Sequence, residues 1–264
     1  MRESDDRPAS VSLNRSVQRA ALVLKMLATD RQGMTLNQLT KSTKLAESTV
    51  YRLLLTLEQQ GMVERASDGS GRFLMGLEMF RLGSAVLERL GIGQNVLTFL
   101  EQLAEDTGET VNLGALHGFN VLYLQKVESQ QTLRASLTVG SSSVPAHCSA
   151  NGKMLLAQLD DHHLQALLDA HPLMTQGPNS ITDRDTLVNE LRHIRERGYA
   201  VDDLEFAADI RAVAAPILNH FGQTIAAVSV AGPATRMSLE QTHLLSSNVI
   251  EIAHRISTKL GYQK

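Results

Sequence analysis

The sequence predicts two domains, a small helical head followed by a larger α+β body, and three observations carry that reading. Between Thr35 and Met75, two short segments with helical apolar spacing flank a tight turn and lead into a Gly-punctuated pair of strand-like runs. From Thr110 the period changes to alternation, and strands then interleave with helices without regular βαβ units. The sign of the charge changes between the two regions: residues 1–75 carry 11 Lys/Arg against 8 Asp/Glu, and the remainder 14 against 20. A chain of 264 residues also approaches the roughly 250–300 at which single cores stop growing.

In order, residues 1–12 are polar and mixed in charge, with Arg2 and Arg7 free to touch phosphates. A first helix is expected over Arg15–Leu27, capped by Asn14 or Ser16. Thr35 and Gln38 form a capping box that opens a second helix. A third runs from about Ala46 to Gln60, where Val50, Leu53, Leu54 and Leu57 make one buried stripe. Its opposite face carries Ser48, Tyr51, Arg52 and Leu55; a hydroxyl, a phenol and a guanidinium suit base edges and phosphates better than a plain solvated face does. Leu55 there is unexplained unless it meets a thymine methyl or packs on the wing. Gly61 ends the helix, and Met62–Arg65 and Arg72–Met75 read as the strands of a hairpin. The whole is an N-terminal all-α winged helix-turn-helix over residues 13–75, whose candidate DNA contacts are Ser48, Thr49, Tyr51, Arg52, Arg65 and Arg72. For Arg65 and Arg72, ordinary exposed arginines are an equal alternative.

An amphipathic linker helix follows over residues 76–91 (Leu77, Phe80, Leu82, Val86, Leu87, Leu90), and a further helix runs to about Asp106. In the body, residues 92–262, a hairpin is expected around His117-Gly118, and a third strand at Thr132–Leu137. Helices are expected at Asn151–Leu159, at Leu164–Leu168, and from a Thr182 N-cap to Arg197. Strands are expected at Tyr199–Asp202, Ala212–Leu218 and Thr224–Ala231, and then one long helix from Ser238 to about Leu260.

Composition excludes several classes. Hydrophobic content of 43% and charged content of 20% describe a folded chain and not a disordered one. No apolar run nears the roughly 18 residues of a membrane helix, and MRESDDRPAS lacks a secretory apolar core. The single cysteine, Cys148, rules out an internal disulfide and fits a cytoplasmic protein. No P-loop or dinucleotide fingerprint occurs, and no cofactor is implied. His147-Cys148 are adjacent and poorly placed to orient each other for nucleophilic chemistry, so Cys148 reads as a buried small residue. His162, His163 and His171 match no ligand spacing, and no metal is expected. Asp202, Asp203 and Glu205 lack any accompanying substrate motif.

The run TLNQLTKSTKLAESTVYRLLLTLEQQGMVER, with LNRSVQRAALVLKML before it and GRFLMGLEMFRLG after it, resembles the DNA-binding domain of the IclR family of bacterial transcriptional regulators. Lys44 stands at a turn position where that family usually has Gly, and Glu47 where a basic residue is common. The body resembles the same family's effector domain, a GAF-like (profilin-like) α+β fold, through GETVNLGAL, VLYLQKVES, VPAHCSANGKMLLA, IRAVAAPI and GQTIAAVSVAGPATRMS. The resemblance implies a ligand-responsive regulator with no enzymatic activity, a homodimer or dimer of dimers on a palindromic operator in double-stranded DNA. It also implies a small effector, an organic or aromatic acid, held by the backbone near Ala150 and Asn151, by Asp202 and by Ser229. Asp209, Ala212 and Ala231 replace residues usual in that pocket and are counted with it. The alternative is a small-molecule-processing enzyme whose winged module serves assembly.

Overall fold

The computed structural model describes residues 13–89, 91–135 and 144–263. It divides into two compact units, residues 1–89 and 90–264. Among the described residues no helix is long and apolar enough to cross a membrane.

The first unit holds α1 (Arg15–Leu27), β1 (Met34–Thr35), α2 (Leu36–Thr43), α3 (Glu47–Gln59), β2 (Val63–Arg65), β3 (Arg72–Met75) and α4 (Leu77–Arg89). Asn14 caps α1 by accepting from the backbone N–H groups of Ser16 and Val17. The box at α2 closes both ways: Gln38 N–H donates to Thr35 Oγ1 at 3.3 Å, and Thr35 N–H to Gln38 Oε1 at 2.8 Å. Helices of 8–13 residues are marginal alone. Here Val23, Leu27, Leu39, Val50, Leu54, Leu57, Val63 and Phe73 bury one shared core, each large side chain contributing roughly 1.5–3 kcal/mol. The wing is a three-stranded sheet of order β1-β3-β2 and not a bare hairpin; β1, two residues long, is too short to show a period. Gly33 precedes it at φ +76°, where an added Cβ would lie 2.4 Å from the Phe73 carbonyl oxygen.

The second unit holds α5 (Gln94–Thr107), β4 (Thr110–His117), β5 (Asn120–Val127), β6 (Val144–Pro145), α6 (Ala150–Ala157), α7 (Asp161–Ala170) and α8 (Arg184–Arg197). β7 (Ala200–Asp203), β8 (Ile210–Leu218), β9 (Thr224–Pro233), α9 (Leu239–Leu244) and α10 (Ser246–Lys259) complete it. One antiparallel sheet runs β6-β5-β4-β9-β8-β7. Facing residues sort by register. Asn112, Ser229 and Ala214 lie across from one another, as do Ala231, Ala212 and Asp202. This face takes α6, while α5 and α10 pack on the sheet from its other side, where Val111, Leu113, Val213, Val228 and Val230 are all buried.

Four expectations are corrected. The segment at Thr132–Leu137 is irregular through Ala135, its last described residue, because the Ala135 carbonyl accepts from the Thr110 hydroxyl and β6 takes the place beside β5; Leu137 lies outside the described residues, as do Arg2 and Arg7. The cap of α8 is Asp183, not Thr182, its carboxylate accepting from the Thr186 N–H at 2.8 Å, since a carboxylate suits a helix N-terminus better than a hydroxyl. The C-terminal helix is a pair joined at Leu245, where the Ser246 and Ser247 hydroxyls donate to the carbonyls of His243 and Leu244 and compete with the helical ladder. The helix expected at Leu164–Leu168 extends to Asp161–Ala170 because Asp160 caps it.

Lys44 adopts the left-handed region, φ 56° and ψ 24°, as the C-cap of α2. A Cβ there costs about 1 kcal/mol relative to Gly. Lys44→Gly is therefore expected to stabilise the head by about 0.5–1 kcal/mol, read as a rise in the denaturant midpoint at unchanged slope; an unchanged or lower midpoint would count against this reading of the turn.

Candidate functional site

The exposed face of α3 carries Ser48, Tyr51, Arg52 and Leu55, with Thr49 half-buried beside them. Ala46, the N-cap, offers no side-chain acceptor, so the first N–H groups of α3 lack the capping bond that Thr35 supplies to α2. The wing arginines are both engaged. Arg65 Nε donates to Glu58 Oε1 at 3.0 Å, and its guanidinium lies 4.9 Å over the Phe73 ring. Arg72 Nη1 donates to the Gly33 carbonyl at 2.9 Å, tying the wing to the turn before β1. Among the described residues the Arg52 side chain has no hydrogen-bond or ion-pair partner, and it stands exposed on this face.

The second site lies in the other unit, between the sheet and the start of α6. Ser149 caps α6, its Oγ accepting from the Gly152 N–H at 3.2 Å. That leaves the Ala150 and Asn151 N–H groups, in the first turn, without an intrahelical acceptor. Gly152 permits this placement: a Cβ on it would lie 2.3 Å from the Cα and the carbonyl oxygen of Ala146. Beneath the helix start the sheet presents Asn112, Ser229, Ala212 and Ala231, and these enclose a cavity of about 30 Å³ together with Tyr123, Ser149, Ala150, Asn151, Asp202, Phe206 and Ile210.

Asp202 is held by its own loop. Leu204, at φ 59°, turns the chain so that the N–H groups of Glu205 and Phe206 donate to Asp202 Oδ1 at 2.8 and 3.3 Å. Burial, reinforced by the nearby Glu205 carboxylate, pushes Asp202 up to about 7 despite those hydrogen bonds. Lys153, 1% exposed, forms a close ion pair with Glu205 and lies 4.0 Å from Glu190, which Arg197 also engages at 2.8 Å. Asn112 and Asn151, each 1% exposed, have both amide atoms buried with no hydrogen-bond partner among the described residues.

Of the residues that the family resemblance implies for the effector, Ala150, Asn151, Asp202, Ala212, Ser229 and Ala231 line this one cavity. Asp209 does not: it is exposed on the turn ahead of β8, where its carboxylate is solvated, and Ile210, the first residue of the strand, takes the place in the wall. Asn112, Tyr123 and Phe206 were not anticipated. The one available signal was a polar Asn between Val111 and Leu113 in a strand otherwise apolar at its start.

The residues weighed for chemistry serve structure. Cys148 is buried, its Sγ donates to the Pro145 carbonyl, and burial pushes its thiol up to about 12, far from a reactive thiolate. His147 turns away to the Met174 carbonyl at 2.9 Å and stacks on Phe119, which stacks in turn on His171. Asp160, His162 and His163 bring ligand atoms within 4.8 Å of one another, all exposed. Asp160 is already the cap of α7, accepting from the His163 N–H.

Comparison with known proteins assigns both parts of the chain to one family. The profile described as IclR helix-turn-helix domain matches residues 16–67, and that described as Bacterial transcriptional regulator IclR C-terminal matches residues 84–258. The HTH-type transcriptional regulator BhcR of Paracoccus denitrificans is 37% identical over 250 residues, 95% of this chain and 88% of that protein. The crystal structure of the Thermotoga maritima IclR superposes with a TM-score of 0.72 at 32% identity, covering 94% of this chain and 99% of that one. An IclR homolog from Microbacterium hydrocarbonoxydans, crystallised with 4-hydroxybenzoate, superposes with a TM-score of 0.81 at 25% identity, covering 93% and 98%. The relatives are named as transcriptional regulators, which supports the regulator over the enzyme alternative. The chain belongs to the IclR family of bacterial transcriptional regulators.

Proposed function

We propose that this ligand-responsive regulator acts as a homodimer or dimer of dimers whose paired heads bind a palindromic operator in double-stranded DNA, repressing a catabolic operon until a small organic or aromatic acid occupies the cavity. The observation that carries the reading is the pairing, in one chain, of an exposed α3 face bearing Ser48, Tyr51 and Arg52 with a cavity bearing free N–H groups, Ser229 and Asp202. On α3 the uncapped N–H groups favour a phosphate, Arg52 adds charge, and Ser48 and Tyr51 reach base edges. Glu47 in the first turn repels phosphate, and the head is only mildly basic, so a single head binds weakly and two linked heads multiply the effect. The dimer contact is α4. It buries no residue, while Leu77 is 80% and Phe80 76% exposed, with Leu82 and Val86 beside them, an apolar face that a second copy covers.

In the cavity, the Ala150 and Asn151 N–H groups and the Ser229 hydroxyl suit a carboxylate. The Microbacterium homolog with 4-hydroxybenzoate supports an acid as the class of effector. Effector binding changes operator affinity to the extent that the acid prefers one arrangement of the heads.

Arg52→Ala is expected to weaken binding to the chain's own upstream intergenic DNA at least tenfold and to lower the slope of log K against log salt by about 1, with secondary structure unchanged by circular dichroism. Unchanged affinity and slope would remove α3 from the interface.

The position of Asp202 sets a pH dependence. Its folded value, about 7, exceeds the unfolded one, so the folded chain takes up a proton between about 4 and 7, and stability falls as pH rises through that window. Asp202→Asn is expected to flatten this profile and to stabilise the chain above pH 7 by up to about 4 kcal/mol. Binding of an anionic effector to the native chain is expected to tighten from pH 8 to pH 6, as Asp202 becomes neutral beside Lys153 and Glu205. Calorimetric titration at the two pH values checks this, and tighter binding at pH 8 would contradict it.

A further inference from the structure

The cavity that holds the effector in the reading above contains two groups which that reading leaves unused. Asn112, on β4, and Asn151, on α6, are both 1% exposed and line the same space. Among the described residues, neither the oxygen nor the nitrogen of either amide has a hydrogen-bond partner. Which atom of each amide is oxygen does not matter to the argument, since both atoms of both groups are unmatched. Buried polar groups are ordinarily paired, and a carboxamide needs two kinds of partner, an acceptor for its N–H groups and a donor for its carbonyl.

Geometry sets the two amides against one ligand. Asn112 is directly across from Ser229 on the sheet. The Asn151 amide sits over Gly114, where an added Cβ would lie 3.3 Å from its Nδ2. Gly114 is two residues along the same strand from Asn112, on the same face, and so ~7 Å away. A few-atom ligand spans that distance. Its carboxylate satisfies donors: the first N–H groups of α6, the Ser229 hydroxyl and the amide nitrogens. It satisfies no acceptor, and Asn112 Oδ1 and Asn151 Oδ1 are two acceptors. An acid whose only other polar group is a carbonyl leaves both without a partner.

We propose that the effector carries an O–H or N–H donor in addition to its carboxylate, as a hydroxy acid or an amino acid does and an oxo acid does not, and that Asn112 and Asn151 select for it. This rests on the assignment of the cavity as the effector site. Sites built to hydrogen-bond a donor discriminate strongly against analogues that lack it, because their own buried groups are then left unpaired.

The test uses the full-length chain and matched acids that differ in the donor alone: lactate and alanine against pyruvate, 2-hydroxybutyrate and 2-aminobutyrate against 2-oxobutyrate, and 4-hydroxybenzoate against benzoate. Thermal shift across a concentration series, followed by calorimetry, gives Kd for each. In any set that binds, a donor-bearing member is expected to bind at least tenfold more tightly than its partner. The hydroxy and amino arms identify which donor is used. Asn112→Leu and Asn151→Leu, similar in size but without polar atoms, are expected to bring that ratio toward one, mainly by weakening the donor-bearing acid. Circular dichroism verifies that they fold, and the wild-type ratio stands without them. Equal or tighter binding of pyruvate, 2-oxobutyrate or benzoate overturns the proposal and leaves the cavity as the effector site. A donor preference that survives both substitutions overturns it as well. Failure of every acid to bind overturns the proposal together with the assignment of the cavity.

Discussion

The close seat of α6 on the sheet is the contact on which the proposed effector site depends. Gly152 lies so near Ala146 that any side chain would collide with its backbone, and the strands beneath answer with Ala200, Ala212, Ala214 and Ala227. Small residues on both surfaces draw the helix onto the sheet, where larger ones would hold it off. The first turn of α6 is thereby aimed down at the sheet. Its free N–H groups, the Ser149 cap and the Asn151 amide then share one space with Asn112, Ser229 and Asp202. Neither a helix N-terminus nor a strand serine makes a binding site alone; the seat brings them within reach of one small molecule.

Charge is arranged around the same seat. Lys153 projects from α6 one residue beyond Gly152, is almost wholly buried, and is neutralised by Glu205 and flanked by Glu190. A buried ion pair of this kind fixes geometry more than it stabilises. Here it ties the helix to the loop after β7, the loop whose N–H groups hold Asp202. A ligand that alters the charge on Asp202 therefore acts on a group linked through Glu205 and Lys153 to the helix above it. In the head the corresponding constraint is the shared core of α1, α2 and α3, which presents Ser48, Tyr51 and Arg52 outward because Val50, Leu54 and Leu57 are committed inward.

Local features were legible in the sequence, and non-local ones were not. The Thr35–Gln38 box, the left-handed glycine at 61, and the stripe on α3 each depend on residues within a turn or two, and each stands where the pattern put it. The family resemblance carried six of the thirteen residues of the cavity wall, including Asp202 and Ser229. Asn112 and Tyr123 join that wall only through the pairing of β4 with β5 and β9 and a bulge between Leu113 and Gly114, which no local period reveals. Asp209 failed for the converse reason. It is one residue from Ile210, and alternation at the start of a strand decides which of two neighbours faces inward. The strands β1 and β6, of two residues each, are too short to carry a period, and the break at Leu245 rests on serine hydroxyls that a helical pattern tolerates.

The proposed regulation stands on coupling between the cavity and the α3 face, and one measurement addresses it most directly. The affinity of the full-length chain for its own upstream intergenic DNA can be followed by fluorescence anisotropy, with and without a saturating acid that raises its melting temperature. The account predicts a change in operator Kd of about 5–150-fold, the usual range of allosteric coupling, and the same factor in the acid's Kd when DNA is bound. An acid that stabilises the chain in the cavity yet leaves operator affinity unchanged would contradict it.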